Sequence, residues 1–153
     1  MKYYSYEDFK KDTFKLLGML DSFHPDIIVG IARGGLTLSH SLAEGLDIRE
    51  VQTLRTELYD KMDKRDKISI DNSCVFEDGK SVLVVDDIAD SGDTLKAVMD
   101  ELQEQNSGVE FKSATLFYKK TSIYKPHFWV NEADDWIDFF WERDFKNLSH
   151  KYS

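Results

Sequence analysis

The chain has 153 residues, 41% of them hydrophobic and 32% charged, with a formal net charge of -9; this suits one globular domain with one sizeable core. The acidity excludes the broad basic footprint of a protein that grips a nucleic-acid backbone. Aromatic residues at 13%, against 8 Gly and 2 Pro, exclude disorder and low complexity.

Along the chain, "MKYYSYEDFKKDTF" has no apolar leader core or cleavage-like site, and no apolar run approaches the roughly eighteen residues of a membrane span. A soluble, cytoplasmic protein without membrane insertion is expected. Ser5 with Asp8 three residues on forms an acidic variant of the capping box, and Phe9, Leu16, Leu17 and Leu20 continue it as a first helix. "DIIVGIA" (26–32) is an apolar run of strand length, followed by a glycine turn and "GLTLSHSLAEGL", whose Leu36, Leu38, Leu42, Ala43 and Leu46 fit a helical face. "REVQTL" (49–54) reads as a strand. Residues 55–67, "RTELYDKMDKRDK", then lose periodicity and read as a charged, mobile loop.

"SVLVV" (81–85) is apolar at consecutive positions, as expected of a parallel strand covered on both faces. "TLKAVMDELQEQ" (94–105) is helical, with Leu95, Val98, Met99 and Leu102 on one side. "VEFKSATLFYKK" (109–120) and the short "FWV" (128–130) complete the strands. Strands alternating with helices predict an α/β sheet.

Several chemistries are excluded by spacing. Cys74 is the only cysteine, so neither an internal disulfide nor a thiolate cluster can form, and it reads as a packing residue. His24, His40, His127 and His150 show no zinc-ligand spacing. "GKS" (79–81) is not a P-loop, because Cys74 stands where the first glycine is needed and a strand follows the motif. "GIARGG" fails the dinucleotide fingerprint at Ala32.

The stretch "SVLVVDDIADSGDTL" (81–95) joins a buried strand to a helix, the place where open α/β sheets bind ligands. Amides around Ser91, Gly92, Asp93 and Thr94 at the helix N-terminus, beside the Ser91 and Thr94 hydroxyls, suit a phosphate monoester. Asp86 and Asp87 would repel a lone phosphate but accept hydrogen bonds from a ribose diol or hold the waters of a magnesium ion. Asp90 lies between those functions, and a ribose 5-phosphate satisfies all of them. A helix cap is an alternative role for Asp93, worth about 0.5 to 2 kcal/mol. Receiver domains also use paired acids, but on separate strands, whereas these are contiguous with the phosphate-cradling turn.

Taken together, "GIARGGL" (30–36), residues 55–67, "VLVVDDIADSGDTL" (82–95), "LFYKK" (116–120) and "WIDFFWE" (136–142) resemble the type I phosphoribosyltransferases. Over nearly the whole chain the likeness is to the bacterial xanthine-guanine and hypoxanthine-type purine enzymes. The resemblance implies a single α/β domain over 1–153. Its central, mainly parallel sheet would be flanked by helices, with a flexible catalytic loop at about 55–67 and a small purine-binding hood from the C-terminal segment, about 119–145.

It also implies roles. Arg33, Gly34 and Gly35 would embrace the leaving diphosphate, with a cis non-proline peptide near Ala32 and Arg33; a tight strand-to-helix turn explains the same glycines, and both can hold. Tyr59 and Arg65 would lie on the closing loop, Arg65 touching diphosphate. Asp86, Asp87, Ala89, Asp90, Ser91, Gly92, Asp93 and Thr94 would bind the phosphoribosyl diphosphate. Lys119, or else Lys120, would meet the purine 6-oxo group, while Trp136 covers the base face and the Ile137 backbone its edge; Trp141 reads as core packing. Asp86 and Asp87 would hold Mg²⁺, with Glu142 where relatives often carry an Asp near a second magnesium.

The reaction implied is transfer of the 5-phosphoribosyl group from phosphoribosyl diphosphate to N9 of guanine, xanthine or hypoxanthine, with Asp90 as general base. A catalytically weak nucleotide-binding regulator of the same fold is the alternative. Lysine at "LFYKK" disfavours a pyrimidine or adenine substrate. A homo-oligomer, dimer or tetramer, is implied by the same likeness.

Overall fold

The capping box forms as the sequence predicts: Ser5 Oγ accepts the Asp8 N–H at 3.1 Å and Asp8 Oδ2 accepts the Ser5 N–H at 3.4 Å. It starts α1 (Tyr6–Leu20) in a computed structural model that describes residues 1–60 and 66–152. Helical spacing gathers Phe9, Leu16 and Leu20 of α1 onto one buried face.

β2 (Ile27–Ala32), α2 (Leu36–Leu46), β3 (Val51–Asp60), β4 (Asp66–Asp71), β5 (Ser81–Val85), β6 (Ile88–Ala89), α3 (Asp93–Gln105), β7 (Glu110–Tyr118) and β8 (Phe128–Glu132) build the main layer and its covers. The sheet order is β4-β3-β2-β5-β7-β6, with β8 also paired to β7, and every pair in it is parallel except β3 with β4. The unbroken apolar run of β5 is explained by burial on both faces. Leu83 and Val85 join the core of α1 and α2, while Val82 and Val84 join that of α3 with Leu95, Val98, Met99 and Leu102.

β5 and β6 are one strand interrupted at Asp86 and Asp87. Pairing with β7 runs to Val85↔Ala114 and resumes at Ile88↔Phe117. The gap is bridged by the Asp87 carbonyl, which accepts the N–H groups of Leu116 at 3.0 Å and Phe117 at 3.2 Å. Both side chains are thereby released from the ladder at the carboxyl end of the sheet.

The hood is a separate two-stranded parallel sheet, β1 (Lys2–Tyr4) beside β9 (Ile137–Phe139), continued by α4 (Phe140–Tyr152). Tyr4 meets the rings of Phe117 and Phe139 edge-on at 5.0 and 5.7 Å, and Trp141 stacks on Phe139 at 4.6 Å, so aromatic packing seats the hood on the core. Trp141 therefore packs, as expected.

Two segments differ from expectation. The loop read at 55–67 contains both arms of an antiparallel hairpin, with Arg55↔Asp71 through Asp60↔Asp66 in register. In β3 Leu54 is buried but Leu58 is exposed, and in β4 Ile68 and Ile70 are half-buried between exposed neighbours, so the apolar alternation is too short to be read along the chain. The hood also draws on the N-terminal β1, and the "FWV" strand belongs to the main sheet. Replacing Ser5 with Ala should lower unfolding free energy by about 1 kcal/mol. Chemical denaturation should show a reduced midpoint at unchanged slope.

Candidate active site

Parallel pairing of β6 with β7 sets Ala89 opposite Tyr118, and the Lys119 N–H donates to the Ala89 carbonyl at 3.0 Å. The next residues on each chain are thus side by side, and Lys119 Nζ meets Asp90 Oδ1 at 2.9 Å. Lys120 instead pairs with Glu132 at 3.5 Å on the surface, which leaves Lys119 as the lysine in the site.

The pair sits in a cleft of about 110 Å³ lined also by Asp87, Ile88, Asp135, Trp136, Ile137, Phe139 and Glu142. Trp136 is 60% exposed at its rim, an unusual position for so large an aromatic, while Ile137 beside it is buried. The Trp136 N–H donates to Asp135 Oδ1 at 2.7 Å. Asp135, Ile88 and Phe139 were not singled out by sequence; only the acid preceding "WIDFF" gave a signal.

Asp87 is shared with a second cavity, about 210 Å³, lined by Asp86, Ala89, Asp90, Ser91, Gly92 and Thr94 among others. Glu142 is shared with a third, wider one of about 620 Å³ that includes Arg33, Gly34, Thr37 and Trp141. These shared walls make one trough, from the hood across the two acids to the loop before α2.

That loop approaches closely. The Ala32–Arg33 peptide is cis, matching the expectation from the resemblance. A Cβ on Gly34 would fall 2.5 Å from Asp87 Oδ2, so only glycine lets this backbone lie against the acid. The Gly35 N–H donates to the Ile31 carbonyl at 2.8 Å, and Gly35 caps α2.

Asp86 and Asp87 are both buried. Asp86 Oδ1 accepts the Asp87 N–H and Asp87 Oδ1 accepts the Ile88 N–H, each at 2.8 Å. Among the described residues neither carboxylate has an ion-pair partner. Burial and then the Asp87 charge push Asp86 well above the carboxylate range. Burial, with a contribution from Glu142, pushes Asp87 up to about 6. Two adjacent carboxyl groups on the cavity wall, with Glu142 near, suit a hard divalent cation, which would favour their ionised forms. No cluster of three or more metal-ligating side chains is preassembled among the described residues.

At the start of α3, Gly92 is the N-cap with φ 87°, a conformation that favours glycine, and no side chain caps the helix. A capping role for Asp93 is therefore not realised. Asp93 is exposed, and its side chain lines a groove with Leu58, Lys67, Lys96 and Asp100, outside the trough; its own N–H turns to Ser91 Oγ at 3.2 Å. Residues 119–124 fold over this loop, with the Ile123 N–H donating to the Ser91 carbonyl at 2.8 Å. Arg65 lies outside the described residues, and the backbone of Tyr59 pairs with Lys67 in the hairpin. Cys74 is half-buried with Sγ 3.5 Å from the Thr53 carbonyl, and burial pushes its thiol up, consistent with packing. No helix among the described residues is long and apolar enough to cross a membrane.

A parallel α/β sheet that gathers buried acids, a cradle of amides and an aromatic-roofed cleft at its carboxyl ends defines a nucleotide-handling class of protein. The phosphoribosyl transferase domain model matches residues 10–146, and the chain belongs to that family. Among solved structures, the chain is similar to the xanthine-guanine-hypoxanthine phosphoribosyltransferase of Helicobacter pylori. Identity there is 39% and the TM-score 0.90, covering 97% of this chain and 98% of that one. It is also similar to a purine phosphoribosyltransferase from Pyrococcus horikoshii, at 31% identity and TM-score 0.83 over 92% of this chain and 93% of that one. The xanthine-guanine phosphoribosyltransferase of Idiomarina loihiensis is 30% identical over 118 residues, covering 75% of this chain and 70% of that one.

The raised Asp87 yields a pH prediction for the metal-free protein. The folded state keeps the proton up to about pH 6, whereas unfolded carboxylates ionise near 4, so stability falls as pH rises through that window. Asp87→Asn should therefore gain about 1 to 3 kcal/mol at pH 8, a gain that shrinks toward zero near pH 4. Urea denaturation of both proteins from pH 4 to 8 measures the difference.

Proposed function

We propose that this phosphoribosyltransferase moves the 5-phosphoribosyl group from phosphoribosyl diphosphate to N9 of a 6-oxopurine, giving the purine nucleoside 5'-monophosphate and diphosphate. The observation that carries the assignment is the Lys119–Asp90 pair beneath the exposed Trp136, in a cleft continuous with the 86–94 loop. Lysine donates only, so its ammonium selects an oxo acceptor over an amino group. The similarity to the xanthine-guanine-hypoxanthine enzyme of Helicobacter pylori and the xanthine-guanine enzyme of Idiomarina loihiensis supports purine bases of this type.

The 5-phosphate lies on the amides of Ser91, Gly92 and Thr94, with the Thr94 hydroxyl beside them, at the positive end of α3; the Asp93 N–H joins them by exchanging its bond to Ser91 Oγ for the phosphate. The ribose diol is held by Asp86 and Asp87. As the C1–oxygen bond to diphosphate breaks and the C1–N9 bond forms, the purine N7 proton passes to the Asp90 carboxylate. General-base help of this kind contributes about 10²- to 10⁴-fold. Negative charge on the departing diphosphate meets the Arg33 guanidinium and the amides of Gly34 and Gly35. Asp86, Asp87 and Glu142 would hold Mg²⁺, which when bound supplies positive charge to the diphosphate. Trp136 covers the base face, and the Ile137 backbone lies at its edge.

Incubation with phosphoribosyl diphosphate, Mg²⁺ and separately guanine, xanthine, hypoxanthine and adenine tests the assignment by the nucleotide formed. Product from 6-oxopurines and not from adenine is expected, with loss of turnover on chelation. Absence of product from every base would favour a nucleotide-binding regulator. Asp90→Asn should lower kcat by about 10²-fold or more while leaving phosphoribosyl-diphosphate affinity nearly unchanged. Trp136→Ala should raise the base KM by the equivalent of about 1 to 3 kcal/mol of lost stacking. Steady-state kinetics separate the two effects.

A further inference from the structure

Two polar side chains that the proposed chemistry leaves unused, Tyr4 and Asn131, converge on one carboxylate oxygen. Tyr4 is 1% exposed, and its hydroxyl donates to Asp12 Oδ2 at 2.6 Å. Asn131 Nδ2 donates to the same oxygen at 2.7 Å. Asp12 belongs to α1 and is buried, Asn131 belongs to β8 of the main sheet, and Tyr4 belongs to the hood strand β1. The hood and the main sheet share no strand pairing. This bond is thus a buried polar tie between them, added to aromatic packing that is far less directional.

The tie lies close to the base-lining backbone. The Lys2 N–H donates to the Trp136 carbonyl at 2.9 Å, and Lys2 to Tyr4 pair in register with Ile137 to Phe139. The Tyr4 ring also abuts Phe139, which lines the cleft, and Phe117, which pairs with cleft residue Ile88. A shift of Tyr4 therefore moves both the roof and the rear wall of the cleft. Tyr4 precedes the residues 10–146 that match the family model, so the docking is carried by a part of this chain outside that match.

We propose that Tyr4, through its bond to Asp12 and Asn131, is a positioning residue that sets Trp136 and Ile137 over Lys119, and so governs affinity for the base without touching it. This rests on the 6-oxopurine assignment. Tyr4→Phe keeps the ring and removes only the hydroxyl. The base KM should rise about 5- to 20-fold, while the phosphoribosyl-diphosphate KM stays within about twofold. Asp12→Asn keeps an oxygen that can accept from Tyr4 and should hold the base KM within about twofold of the unaltered protein.

A second measurement does not depend on turnover. In Tyr4→Phe, amide hydrogen exchange across 137–139 should quicken about tenfold, while β2 and β5 stay protected. A base KM unchanged by Tyr4→Phe, a parallel rise in both KM values, or unaltered exchange across 137–139 would overturn the positioning role. If the unaltered protein converts no base, the 6-oxopurine assignment falls, and the exchange result alone decides whether Tyr4 ties the hood.

Discussion

The interruption of one strand at Asp86 and Asp87 is the constraint on which the rest of the site depends. Because the Asp87 carbonyl accepts two successive N–H groups of β7, pairing resumes at Ile88 without loss of register. That register carries Asp90 to Lys119. The two acids, freed from the ladder, lie in a buried position against Gly34 of the neighbouring loop. A side chain on Gly34 would close the approach, and an unbroken strand would turn one acid to each face of the sheet. The cleft beside Lys119, the placement of the two acids and their contact with the loop before α2 thus follow from a single local break.

The trough shares the protein's overall negative charge, with Asp86, Asp87, Asp90, Asp135 and Glu142 lining it beside Arg33 and Lys119. In a chain with a net charge of -9, the proposed phosphate contacts rest on peptide N–H groups at the start of α3 and in the loop before α2, which act at short range and need no basic surface. The buried acids are costly by themselves, which is expressed in the raised Asp86 and Asp87. In the proposed reaction a cation and sugar hydroxyls would recover that cost on binding.

Much of this was legible along the chain. The Ser5–Asp8 box, the doubly buried "SVLVV" strand and the turn at 91–94 are signals carried by neighbours in sequence, and each formed where it was read. The cis peptide at Ala32–Arg33 also lies where the resemblance placed it. The hairpin arms at 55–60 and 66–71 were missed because β3 turns Leu58 to solvent after the buried Leu54, and the half-buried Ile68 and Ile70 of β4 make an alternation too short to stand out beside the charged run before it. β1 was missed because three residues are too few to display a period. A cap was one of the two roles read for Asp93, because acids commonly occupy that place, but Gly92 takes it in a left-handed conformation.

The sequence by itself determined the α/β class and the strand-turn-helix unit at 81–105, since these depend on contiguous spacing and on backbone preferences that act within a few residues. Only the tertiary structure decided which lysine faces Asp90, that Asp93 turns away from the trough, and that an N-terminal strand supports Trp136 to Phe139. Those outcomes come from parallel pairing between distant segments, whose register is settled by packing across the whole sheet and leaves no mark at either segment alone.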